Sequence, residues 1–223
     1  MAFDIQGHFA NMDRRVGSGE RDGQETIVVY AGRTYATDAS DLWEAITSPE
    51  RISRWFLPIS GDLRQGGRYQ LEGNAGGTIE ECVPRERVRA TWEYAGGVSW
   101  VTLTLTPREG GTYLELAHEA HPMPGFSDRF GPGAVGVGWD LGFLGLARHL
   151  EAPNADVRPE AGVWETSPEA MDFYRRASTS WGEAAIEGGA PTEEALAAAE
   201  NTRAFYSGET PMGGGGAEEA AGA

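Results

Sequence analysis

Residues 33–58 read RTYATDASDLWEAITSPERISRWFLP, and this stretch decides the fold. It turns a strand into two short helices within a few residues. Tyr35 closes a run rich in Val, Ile and Tyr, Glu25–Tyr35, which predicts a strand. Asp38 is placed to cap a helix carrying Leu42, Trp43, Ala45 and Ile46. In TSPE (47–50), Thr47 is expected to cap a second helix, with Pro in its first turn and Glu three residues after Thr. That helix ends at Arg54-Trp55-Phe56, before Pro58. The same tetrapeptide at 166–169 marks another helix start, not a repeat.

Downstream lies a run of short alternating segments, at 67–72, 78–83, 87–94, 99–106 and 112–118. Their breaks are GNAGG, VPRE, AGG and PREGG, as in the hairpins of one antiparallel meander. Period two assigns the faces. Val101, Leu103 and Leu105 share one; Leu114, Leu116 and His118 another; Val88, Ala90 and Trp92 a third; Tyr69 and Leu71 a fourth; Ile79, Glu81 and Val83 a fifth. Cys82 then points away from the apolar side. Upstream, residues 1–24 are polar and Gly-rich and read as a flexible arm.

A Gly/Pro loop leads into a helix at 134–150 with apolar stripes on two sides. Gly138, Gly142 and Gly145 lie between them. Three interior glycines forgo about 3 kcal/mol of helix propensity, so either a backbone comes close or space is kept beside the helix. Residues 166–187 and 192–206 read as two further helices, and 153–206 as an extension packed on the core through Phe173, Tyr174, Trp181 and Phe205. The end, 207–223, is low-complexity and acidic and is expected to be disordered.

The chain has 223 residues, with 18 basic and 34 acidic, for a formal charge of −16. Every basic residue is Arg. Such a chain is repelled by phosphate backbones and anionic lipid, so neither nucleic acid nor membrane is an expected partner. The single Cys, no apolar run of membrane-spanning length and no secretory signal point to a cytoplasmic protein. Gly131-Pro132-Gly133-Ala134-Val135-Gly136 matches G-x-G-x-x-G, but a loop precedes it and Pro132 removes an amide. His118 and His121 are three apart at a strand end and face opposite ways, which does not make a metal pair. No cofactor and no metal is expected. Glu81 and His118 stand out because both fall on otherwise apolar faces. An inward carboxylate needs a partner or has its pKa raised; it is paired with an Arg or near an edge, or it lines a pocket. His118 is a satisfied histidine at the core rim, or a pocket group.

The motifs W-E-A-x-T-x-P-E-x-x-x-x-W-F and G-G-x-Y, with 61–81, 84–94, 111–119 and 137–150, resemble one family. It is the activator of heat-shock-protein-90 ATPase homologue branch of the START-like (SRPBCC) superfamily. The resemblance covers about residues 25–150 and implies an α+β helix-grip domain over 25–152: a curved antiparallel sheet gripping the long helix, with a hydrophobic tunnel between them. Related members bind lipids, sterols and polyketides, and some are cyclases, aromatases or hydrolases. By position it brings Trp55, Phe56, Trp92, His118, Trp139 and Phe143 to that tunnel. It transfers no catalytic residue.

The expected function is binding of a small hydrophobic or amphipathic molecule between sheet and helix. Its expected lining is Trp55, Phe56, Tyr69, Trp92, Leu103, Leu116, His118, Trp139, Gly142 and Phe143. The alternatives are a cyclase- or hydrolase-like pocket enzyme using Glu81 or His118 as acid or base, and a chaperone activator or other protein-interaction module.

Overall fold

A computed structural model describes residues 4–158 and 163–210. The chain runs α1 (Ile5–Asn11), β1 (Asp13–Arg21), β2 (Gln24–Tyr35), α2 (Ala39–Thr47), α3 (Pro49–Ile52) and β3 (Ile59–Gly61). It continues through β4 (Arg68–Leu71), β5 (Gly76–Val83), β6 (Arg87–Tyr94), β7 (Gly97–Arg108) and β8 (Gly111–Ala120). The helices α4 (Phe126–Phe130), α5 (Gly133–Glu151), α6 (Pro168–Glu187) and α7 (Thr192–Tyr206) follow. Eight strands form one curved antiparallel sheet in the order β1-β2-β8-β7-β6-β5-β4-β3. Helix α5 lies against it, which is the helix-grip arrangement of an α+β fold. Among the described residues no helix is long and apolar enough to cross a membrane.

Residues 5–21 are not an arm. Asp4 caps α1 by accepting from the Gly7 amide at 2.8 Å, and β1 pairs with β2 from Asp13↔Gly32 to Arg21↔Gln24. The segment is anchored by buried Ile5, His8 and Met12 and by Arg14. Its polar sequence conceals this because β1 is an edge strand in which no residue is buried whole. Both TSPE motifs start one residue later than expected. Ser48 and Ser167 are the caps, and Pro49 and Pro168 take the first helical position, where a missing N–H costs nothing. Thr47 instead ends α2, its hydroxyl donating to the Trp43 carbonyl at 2.6 Å.

Helix α5 is apolar around most of its girth because it is covered on both sides. Toward the sheet, the Tyr35 hydroxyl donates to the Phe143 carbonyl at 3.0 Å, and Leu146 and Phe143 are buried. On the far side α6 lies on α5 and β1, and α7 lies on α6. Gly136 is the contact point: a Cβ there would run into the Trp181 ring. Next to it the Asp140 carboxylate, with no exposure, accepts from Arg14 Nε at 3.0 Å and from Trp181 Nε1 at 3.2 Å. One buried carboxylate thus joins β1, α5 and α6. Phe205 packs on Phe130 of α4. The acidic end expected to be disordered lies mostly outside the described residues; within them Glu209 pairs with Arg203 at 2.7 Å.

Trp181→Ala removes a fully buried ring and a donor to Asp140. The expected outcome is a loss of about 3–5 kcal/mol in urea unfolding, against under about 1 kcal/mol if α6 were an appendage.

Candidate ligand-binding site

Between α5 and the sheet is an apolar chamber of about 160 Å³. Leu103 and Leu116 supply its floor from adjacent strands, directly paired in register. Tyr69, Val88 and Ile79 close the far end. The Tyr69 hydroxyl is taken up by the Thr91 carbonyl at 2.8 Å, so the ring presents carbon to the chamber. Phe143 and Gly142 come from α5. The chamber abuts a wider, open cleft of about 870 Å³, lined by α5, the 156–158 and 164–165 segments and Tyr174 of α6. Trp55, Phe56, Trp92, Trp139 and Gly142 border both spaces.

The partition is a set of stacked rings. Phe56 and Trp139 lie nearly parallel, with centroids 6.2 Å apart, and Trp92 meets Trp139 edge-on at 5.2 Å. A hydrogen-bond relay fixes it. Trp139 Nε1 donates to His118 Nδ1 at 2.9 Å. Indole is a donor only, so Nδ1 carries no proton and Nε2 does. Nε2–H then donates to Ser99 Oγ at 2.8 Å, and Ser99 donates to the Trp92 carbonyl at 3.2 Å. Burial lowers the His118 imidazole to about 4, which keeps it neutral. On the other side, Trp55 Nε1 donates to the Ala45 carbonyl at 3.0 Å. The turn carrying Trp55 and Phe56 is tied to α5 because Arg51 Nε donates to His149 Nε2 at 3.0 Å.

Of the expected lining, Trp55, Phe56, Tyr69, Trp92, Leu103, Leu116, Trp139, Gly142 and Phe143 border the chamber, and His118 borders the outer cleft. Glu81 borders neither. A β-bulge between Ile79 and Glu81 breaks the alternation. It turns Glu81 to the outer face, where Arg87 holds it with bonds of 2.7 and 3.0 Å, and it brings Cys82 to the chamber instead. The arginine keeps the Glu81 carboxyl below its ordinary range. The three helix glycines also part ways. A Cβ at Gly145 would lie 2.6 Å from the Trp55 carbonyl and one at Gly138 3.2 Å from the Tyr206 hydroxyl, so both serve close packing. At Gly142 the nearest atom is Phe56 Cε2 at 3.6 Å, and this glycine alone of the three opens on the chamber. Trp164, Glu165 and Tyr174 of the outer cleft were not expected there: Tyr174 reads as a packing residue, and Trp164 lies outside any periodic segment.

Residues 36–151 match the family described as Activator of Hsp90 ATPase homolog 1-like protein. The chain belongs to that family, within the START-like (SRPBCC) superfamily. Solved structures agree. CalU16 from Micromonospora echinospora is 30% identical in its crystal structure, covering 78% of this chain and 98% of its own, with a TM-score of 0.64. Its solution structure gives 31%, 80%, 97% and 0.66. DynU16, from the dynemicin biosynthetic locus, shares the fold at 24% identity, 59% of this chain and 49% of its own, with a TM-score of 0.52. No match is found among the curated proteins. The likeness to CalU16 extends beyond the family's 36–151 span.

His118 accepts a hydrogen bond only when neutral, so its protonation breaks the link to Trp139. Its folded pKa lies below the ordinary 6.5, so its contribution to stability is complete above about pH 6.5 and is lost as pH falls toward 4. His118→Gln keeps an acceptor that does not titrate. Between pH 7.5 and 4.5 the native protein should lose about 2 kcal/mol more than this variant in urea unfolding. Parallel losses would contradict the relay.

Proposed function

We propose that this protein binds a small hydrophobic or amphipathic molecule that occupies the inner chamber and extends past Trp139 into the outer cleft. The observation that carries this reading is the chamber itself. Close-packed interiors keep few voids larger than a water molecule, and an apolar space of about 160 Å³ leaves the side chains around it without part of the contacts they would otherwise make. A ligand of matching shape supplies those contacts. The chamber alone is smaller than the roughly 300–1,000 Å³ of common ligand sites, and the adjoining cleft supplies the remainder. The ring partition suits flat or chain-like apolar groups, which pass between aromatic faces.

Catalysis by the two expected acid–base residues has little to draw on. Glu81 is ion-paired on the opposite face, and both nitrogens of His118 are engaged in the relay. His118 is better read as a positioning residue for Trp139.

Gly142→Leu tests the reading. Its Cβ fits, and the isopropyl group beyond it reaches toward the space between Phe56 and the chamber. Affinity for the apolar fluorophore N-phenyl-1-naphthylamine should fall about tenfold or more. The unfolding midpoint should hold or rise, since Leu also adds about 1 kcal/mol of helix propensity. Unchanged probe affinity, or a native protein that takes up no probe, would overturn the proposal.

A further inference from the structure

Among the described residues, one carboxylate of the outer cleft has no partner. Its charged lining is Asp156, Arg158 and Glu165. Arg158 is occupied by Asp156, with Nε and Nη2 donating to the carboxylate at 3.0 and 2.5 Å. The polar nitrogens of His118 are engaged as described. Glu165 is different: it lines the cleft, and among the described residues nothing pairs with its carboxylate, whose Oε2 is buried without a hydrogen-bond partner. An unpaired carboxylate oxygen in such a place is costly unless something else supplies a donor. Two aromatic rings stand beside it. Trp164 and Tyr174 both line the cleft and meet edge to face, 6.1 Å between centroids at 77°. Burial first, then the Glu165 charge, pushes the Tyr174 hydroxyl up to about 12.

A carboxylate without a partner beside aromatic rings is the chemistry that recognises an alkylammonium: charge attraction from one side, ring quadrupoles from the other. An anionic headgroup would meet an unpaired carboxylate and a guanidinium already committed. From this geometry we infer that the outer cleft takes the protonated amine of an amphipathic ligand at Glu165, Trp164 and Tyr174, with its apolar part directed toward Trp139 and the chamber. The inference rests on the ligand-binding reading and narrows it to a class, the hydrophobic amines.

The test is isothermal titration at pH 7 with 1-decanol below its solubility limit and decylammonium and decanoate below their micelle concentrations. Wild type, Glu165→Gln and Glu183→Gln are compared, the last changing the same charge at an exposed site on α6. In wild type, decylammonium should bind about tenfold tighter than decanol, and decanoate weaker than decanol. Glu165→Gln should bring the amine level with the alcohol and leave the alcohol's affinity unchanged, which also reports that the variant is folded. Glu183→Gln should retain the amine preference. Decanol binding with no amine preference in wild type overturns the inference while leaving the ligand-binding reading standing. A preference that survives Glu165→Gln overturns it too, since the net charge of −16 would then account for the attraction. If none of the three binds, the ligand-binding reading falls and the inference with it.

Discussion

Asp140 carries a carboxylate to a point of zero exposure in the middle of α5, and that burial constrains everything packed around the helix. Burial raises its pKa to about 6, while Arg14 and Trp181 favour the charged form. Near neutral pH the group is therefore an ion that must be paired, and leaving either partner uncompensated costs about 3–5 kcal/mol. Arg14 comes from the segment ahead of the gripping sheet's core strands, and Trp181 from the helices behind it. Both extensions are thus required to finish the far side of α5. With that side closed by a polar anchor and a ring against Gly136, the face bearing Trp139, Gly142 and Phe143 is held over the sheet without filling the space beneath it.

The partition above that space is built from rings whose positions are set by hydrogen bonds to neutral imidazoles. His118 holds Trp139, and His149 accepts from Arg51 beside the Trp55–Phe56 turn. Burial lowers both imidazoles to about 4. Each is thus an acceptor across the physiological range, and neither is poised to exchange a proton. Aromatic groups give the partition area and stiffness, while the relay through Ser99 limits where Trp139 can go.

Much of the fold was legible because it rests on local signals. Alternation and turn residues placed the meander, and the apolar girth of residues 134–150 placed the central helix. The site's lining followed from strand faces wherever alternation ran unbroken, as at Leu103, Leu116 and Trp92. It failed at Glu81, because one bulged residue reverses every face beyond it and leaves no mark in composition. The N-terminal strand was hidden because its better-covered positions are Arg14, Val16, Gly17, Gly19 and Arg21, which do not read as an apolar face. The glycines of α5 could not be sorted from sequence. Whether a missing side chain admits a carbonyl, as at Gly145, or opens on a void, as at Gly142, depends on what another element brings there. Glu165 and Trp164 were illegible for the same reason, since a linker has no periodicity from which to read direction.

The central claim is that an apolar molecule enters the chamber between α5 and the sheet. A methyl-resolved NMR titration with 1-decanol addresses it directly. The account requires saturable shifts, at one ligand per protein, in the methyls of Ile79, Val88, Leu103 and Leu116, which border the chamber. The methyls of Ile5 and Val28, buried elsewhere, should stay still. Shifts confined to exposed groups such as Val98 and Leu196, or none at all, would contradict it.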